Sequence, residues 1–291
     1  MKMNPILKKE LQIGSRSIKM SIAIMGYNAL LAFIAVIVLL ISNMDTVTSV
    51  YDYKSLIWVF PVAACTEFGL ISLLIPIITA SSVSGEREKQ TLDVMLTTPI
   101  NPFSIALGKL GSAMAMILMF VISSVPILSV SFILGGLNWF SLLGFIVMMV
   151  YLGVYVGSVG VFCSSVVKKS VVATILTIVI GLGIMIGTSI IFSIAASICS
   201  AIASYNATSV NVWAWPFILL LNPYSVIFDF IMRSMGSYSV YQIMKDSNTM
   251  PAIFVEIGRF WILIGMIVNL FISFLFLKLA ASVISPVKPR K

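Results

Sequence analysis

IAIMGYNALLAFIAVIVLLI, residues 22–41, is a run of twenty residues without a single charge. A helix rises about 1.5 Å per residue, so a run of about 20 apolar residues spans the ~30 Å hydrocarbon core of a bilayer. Lys8, Lys9, Arg16 and Lys19 precede it, and Ser42-Asn43-Met44-Asp45 follows with no small-residue cleavage pattern. It reads as a retained first span, not a signal peptide. Working outward, five more apolar runs cover residues 56–80, 110–134, 141–167, 171–204 and 257–277. The composition agrees: 60% of the 291 residues are hydrophobic, 10% are charged, and the mean hydropathy is +1.11. Soluble domains carry roughly 25% charge. The expected fold is an all-α polytopic membrane protein with six transmembrane helices in one domain over residues 1–291.

Two flanking segments are amphipathic rather than spanning. Residues 5–20 mix Ile6, Leu7, Leu11, Ile13 and Ile18 with four cations, as an N-terminal interfacial helix on the lipid surface does. Within residues 205–256, the semi-apolar stretch 212–232 is interrupted by Pro216, Asn222-Pro223 and Asp229. Each interior proline removes a helix hydrogen bond, so the stretch is expected to form a broken or re-entrant hairpin between spans 5 and 6. Trp213, Trp215 and Tyr224 suit an aromatic belt at its membrane surface.

The net charge of +8 is a topology signal. With six spans, fourteen of the eighteen Lys and Arg residues fall on one side, leaving Lys54, Arg233, Lys245 and Arg259 opposite. Cations mark the cytoplasmic face, so both termini are expected there. A seventh span over 212–232 gives thirteen, and the prolines decide between the two layouts. The cations are scattered through short loops, which argues against a nucleic-acid partner. The chain has no histidine, which removes the commonest metal ligand and every Ser/His mechanism. Cys65, Cys163 and Cys199 each sit in an apolar run without a CxxC partner and are expected to be small buried hydrophobes.

The densest charge lies in SSVSGEREKQTLDVMLTTPINPFSIALGKL, residues 81–110, where Glu86, Arg87, Glu88, Lys89 and Asp93 occupy eight positions. Gly85 is expected to end the second span. A short helix over 84–98 would then hold Glu86 and Glu88 in its first turn, where the macrodipole favours acids, with Leu92, Met95 and Leu96 recurring at i, i+3, i+4. Thr97-Thr98-Pro99 stops it, and Asn101-Pro102 starts the next helix as N-cap and first helical residue. A plain connector needs no apolar stripe, so this loop is expected to dock a cytoplasmic partner.

Residues 85–100, GEREKQTLDVMLTTPI, resemble the loop between spans 2 and 3 of type-2 ATP-binding-cassette permeases, which is close to GEREKGTLE-LL-TP followed by a helix ending in GK. Gly108-Lys109 supplies that ending, and NPILKKEL (residues 4–11) and LNPYS (residues 221–225) are also similar to the family. Gln90 stands where glycine is frequent, and Asp93 where glutamate is. The resemblance implies a bacterial plasma-membrane permease, an exporter subunit working with a second copy or a related permease. It implies a coupling helix, carried by Glu86, Arg87, Glu88, Thr91, Leu92, Met95 and Leu96, that engages a cytoplasmic ATPase dimer. It also implies that Asn222, Pro223 and Tyr224 belong to an extracellular re-entrant hairpin. ATP and Mg would be used by that partner and no cofactor bound here, because the phosphate-loop pattern GxxxxGK[ST] is missing: Leu110 follows Gly108-Lys109, and Phe103 stands five residues before Gly108.

Glu67 is the only acid deep in a predicted span, where a charge costs at least ~2.5–3.5 kcal/mol. It is expected either to line a translocation pathway or to accept a hydrogen bond from a neighbouring helix. Gly153-x-x-x-Gly157 and Gly183-x-x-x-Gly187 are close-packing signals, expected to act within the subunit. An ion-coupled secondary transporter is the alternative function, but one intramembrane carboxylate and no repeat fit it poorly. An intramembrane enzyme is disfavoured by the missing histidines and the lack of paired membrane aspartates.

Overall fold

The computed structural model describes residues 18–44, 59–92, 101–134, 139–206, 215–236, 239–246 and 252–284. Its elements are α1 (Ile18–Met44), α2 (Val59–Thr79), α3 (Ser81–Glu88), α4 (Pro102–Leu134), α5 (Trp139–Val166), α6 (Ser170–Asn206), a 3-10 helix (Trp215–Leu221), α7 (Pro223–Ser234), α8 (Val240–Asp246), α9 (Ala252–Arg259) and α10 (Trp261–Ile284). Among the described residues there is no strand, and six helical stretches are long and apolar enough to cross a membrane. They match the six runs read from the sequence. Most of the interfacial helix expected over 5–20 lies outside the described residues, as do Asp93, Met95, Leu96 and Trp213; Ile18, Lys19 and Met20 belong to α1.

Several helix ends follow local chemistry. Asn101 Oδ1 accepts the Phe103 N–H at 3.0 Å, and Pro102 opens α4 at the position where a missing N–H costs nothing. The helix therefore starts eight residues before the expected 110 and carries Lys109 inside it. Asn222 does the same for α7, accepting from the Tyr224 N–H at 2.9 Å with Pro223 following. That cap splits the stretch 212–232 into a 3-10 turn and a twelve-residue α-helix, neither of which is a span. The last span begins at Trp261, not Ile257, because Ile257 belongs to α9 and a turn at Phe260 separates the two helices.

The chain packs as two compact units, residues 1–178 with 273–291, and residues 179–272. In the first, α2, α4 and α5 pack mutually, and α1 leans on α2 and α4. The apolar window of α5 is 67% buried, which makes it the axis of this unit. Its burial depends on glycine. A Cβ at Gly153 would press on Met114, one at Gly157 on Leu110, and one at Gly160 on the Oγ1 and Cβ of Thr79. Thr79 is fully buried and its hydroxyl is committed to Ile75 O at 2.8 Å, so it has nowhere to retreat. The first glycine pair thus works inside the subunit, as expected. Gly183 and Gly187 do not: nothing lies within 4 Å of a Cβ at either. Cys163 is buried but Cys65 is exposed, contrary to its expected burial, because it points away from the α2 packing face.

In the second unit, Asp229 is buried on α7 and joins three short helices. Its Oδ1 accepts the Val240 N–H that opens α8 at 2.8 Å, and its Oδ2 accepts Arg233 Nε at 2.8 Å. Arg233 in turn donates to the last carbonyls of α9, Gly258 O at 2.8 Å and Arg259 O at 3.0 Å. Burial pushes the Asp229 carboxyl above the usual carboxylate range, against the opposing pull of the Val240 N–H and the Arg233 charge. Asn222 Nδ2 donates to Thr188 Oγ1 and Met185 O, and Asn269 Nδ2 to Leu220 O, which fixes the 3-10 turn to α6 and α10.

The two glycine motifs should respond oppositely to alanine. Gly160→Ala forces a methyl onto Thr79 and should cost about 1–3 kcal/mol by overpacking. In the isolated subunit Gly183→Ala meets open space and should stabilise by up to about 1 kcal/mol through helix propensity. Thermal unfolding of both variants in the same detergent checks the pair.

Candidate functional site

The charged loop is built around α3, and the structure corrects its expected geometry. Gly85 does not end the preceding helix. It lies inside α3, which ends at Glu88 with Lys89 as C-cap. Glu86 and Glu88 therefore occupy a last helical turn, not a first one. The terminator is Gln90, the only described non-glycine residue in the left-handed region, at φ +58°. The Thr91 N–H reaches back to Glu86 O at 2.9 Å and the Gln90 N–H to Arg87 O at 3.1 Å, the paired bonds of a Schellman cap. Glycine is frequent at this place in the resembled loop for a steric reason: the cap needs positive φ, which costs a side chain about 1–2 kcal/mol.

A last turn is a poor place for acids by macrodipole alone. Their partners on other helices explain them. Glu86 pairs with Lys109 of α4. Glu88 accepts the Ser170 N–H at 2.9 Å and the Ser170 hydroxyl at 2.8 Å, so it closes the N-terminus of α6. Arg87 Nη2 donates at 3.1 Å to Ser165 O, one of the carbonyls left over at the end of α5. At the other end of α3, Ala80 offers no side-chain cap. Ser164 of α5 replaces it, its Oγ accepting both the Val83 and Ser84 N–H groups at 2.9 Å.

Thr91 Oγ1 bonds Glu86 O at 3.2 Å and is exposed. Leu92 is buried, packed with Val83 and Ile284. It therefore belongs to the chain's own core, while Met95 and Leu96 lie outside the described residues. The structure brings Glu86, Arg87, Glu88, Thr91 and Leu92 to one end of the first unit. Sequence reading missed Ser164, Ser165 and Ser170. The one available signal was a pair of serines closing an otherwise apolar span.

Glu67 is fully buried on α2, and its Oε1 lies 2.6 Å from the Ser124 hydroxyl of α4. One turn of packing supports it: Tyr27 of α1 meets the Phe120 ring edge-on at 5.4 Å, and Asn28 Nδ2 donates to Ser123 Oγ at 3.0 Å. Residues 120–124 of α4 thus hold both α1 and α2 deep in the span. Tyr224 is half-buried, and Asn222 and Pro223 are buried in the second unit.

Six helices long and apolar enough to cross a membrane, with a charged helix tied to their ends and sides, are the build of a multi-pass membrane protein. The model of the ABC-2 family transporter proteins matches residues 5–272, and the chain belongs to that family. Compared with curated proteins, the chain has no match. Membership makes it a transport component of the membrane, in a family that associates with ABC ATPases.

Two substitutions around α3 should move stability in opposite directions. Ser164→Ala strands two buried N–H groups and should cost about 1–3 kcal/mol. Gln90→Gly relieves the left-handed residue and should gain roughly 0.5–1 kcal/mol after the extra entropy of glycine in the unfolded chain. Parallel denaturation curves of the purified chain read both.

Proposed function

We propose that this chain is the membrane-spanning subunit of an exporter in a bacterial plasma membrane, driven by a separate cytoplasmic ABC ATPase dimer that alone handles ATP and Mg. Both termini are cytoplasmic, the segment 84–98 couples to the ATPase, and residues 205–256 form an extracellular re-entrant cap that includes Asn222, Pro223 and Tyr224. The observation that carries the coupling role is the three-way fastening of α3, through Glu86 to α4, Arg87 to α5 and Glu88 to α6. A push on the segment beyond Leu92 is delivered to three spans at once through these bonds. Glu86, Arg87 and Glu88 act as transmission contacts inside the permease, and Met95 and Leu96 supply the apolar docking anchor. Glu67 keeps α2 and α4 in register beside the translocation pathway.

A second permease copy, or a related chain, completes the pathway. The apolar window of α6 is only 6% buried, and its glycines at 181, 183 and 187 face open space. Small residues let helix backbones approach closely in lipid, which suits this face to a partner helix.

The test is co-purification of the ATPase with permease variants, combined with ATP turnover in nanodiscs. Glu88→Ala should leave the ATPase bound but uncouple its hydrolysis, because it removes the two bonds that fasten α3 to the start of α6. Leu96→Ala should weaken ATPase binding itself. Loss of binding in Glu88→Ala would make that residue a docking contact instead. In a cysteine-free background, single cysteines at positions 54 and 245 should react with an impermeant thiol reagent from outside, and those at 89, 168 and 288 should not.

A further inference from the structure

Beside α3 the first unit holds an open cavity of about 510 Å³. Its lining changes character along the helices. Glu86, Lys89 and Lys109 line it at the charged end, and Ile78, Ala113 and Met116 line it from deeper turns of α2 and α4. Met116 stands seven residues beyond Lys109, so the lining extends roughly 10 Å along α4. We propose that it binds one phospholipid by an anionic headgroup that carries hydroxyl donors, with an acyl chain along Ile78, Ala113 and Met116.

The charges around the cavity select the headgroup. Glu86 is neutralised by Lys109, and both oxygens of Glu88 are taken by Ser170. Lys89 is exposed and makes no ion pair among the described residues. Lys169 is close enough to Glu88 to act on its charge, and Lys168 precedes it, both exposed beside the cavity-lining Ser170. Glu88 keeps its charge, but the three exposed lysines, Lys89, Lys168 and Lys169, outnumber it, so the surroundings of the mouth are net cationic, as around basic pockets between spans that hold acidic lipids.

Two lining residues, Ser82 and Glu86, also carry polar atoms shielded from solvent and without partners, Ser82 Oγ and Glu86 Oε2. Buried polar atoms of this kind call for a ligand or water to complete them. To reach the headgroup both side chains turn toward the cavity, Ser82 then donating to a phosphate oxygen and Glu86 accepting from a headgroup hydroxyl. A docked protein would satisfy the mouth but leave the apolar depth empty. The inference rests on α2 and α4 being spans and not on the ATPase, so it stands or falls independently of coupling.

The experiment uses the full chain purified in detergent without any ATPase. Its thermal unfolding is followed while phosphatidylglycerol, phosphatidylcholine or soluble glycerol phosphate is added. Phosphatidylglycerol should raise the midpoint saturably. Phosphatidylcholine, without net charge or headgroup hydroxyls, should need about fivefold more or greater, and glycerol phosphate should do nothing at the same concentration. Lys89→Gln and Met116→Trp should each weaken the phosphatidylglycerol response about fivefold or more, while Lys245→Gln, which removes an exposed charge of the second unit, leaves it intact.

A full response to glycerol phosphate would make the ligand a soluble phosphate and overturn the lipid assignment. Equal responses in wild type and Lys89→Gln, or an equal loss in Lys245→Gln, would reduce the effect to surface charge and overturn the site. Should Met116→Trp fail to fold, native mass spectrometry of the wild type decides. One phosphatidylglycerol retained against excess phosphatidylcholine is the supporting result, and none retained is the refuting one.

Discussion

A helix end leaves up to four N–H or four carbonyl groups without partners, and where neighbouring helices cover that end water cannot satisfy them. Around α3 this constraint is met from outside the helix. A serine of α5 closes its start, a left-handed glutamine closes its finish, and its own acids and arginine brace the side of α4 and close the ends of α5 and α6. None of these helices can be moved at this end without breaking a bond that another helix needs. The charged segment is therefore a structural junction before it is anything else, and that gives a partner's push somewhere to go.

The deeper part of the first unit is held by different chemistry. Gly153, Gly157 and Gly160 let α5 lie against α4 and α2 with side chains filling the space of missing methyl groups. Serine hydroxyls on α4 hold α1 and α2 in register through Asn28 and Glu67. Packing in lipid gains little from burial of apolar surface, because lipid is as apolar as the core. Close backbone approach and a few polar contacts replace the hydrophobic drive that a soluble bundle would use. In the second unit, Asp229 and Arg233 do the corresponding work by capping short helices that are too small to hold themselves.

Composition and run length were enough to find the six spans, because an apolar run of this length has few alternatives. The caps at Asn101 and Asn222 were also legible, since each is a local pattern of asparagine followed by proline. The charged loop was legible as an unusual segment but not in its geometry. Gly85 looks like a stop, yet a glycine inside a helix costs only about 1 kcal/mol, and bonds from Ser164 and Ser165 hold the helix through it. Those partners lie some 80 residues away in the chain, beyond the reach of any local pattern. The two glycine motifs are identical in spacing and opposite in use, because spacing shows that a close approach is possible and not which neighbour makes it.

The pairing of Glu88 with Ser170 has a consequence for how the protein is made. The two residues are 82 positions apart. At synthesis rates of ~5–20 residues per second, Glu88 is made roughly 4–16 s before its partner. Lys109 follows Glu86 by 23 positions and arrives first. During this interval α2 and α4 can already lie in the bilayer while the acids and N–H groups of α3 wait in the aqueous layer. The junction closes only after α5 and the start of α6 are made, so the charged helix is seated late, although it is among the earlier parts of the chain to be translated.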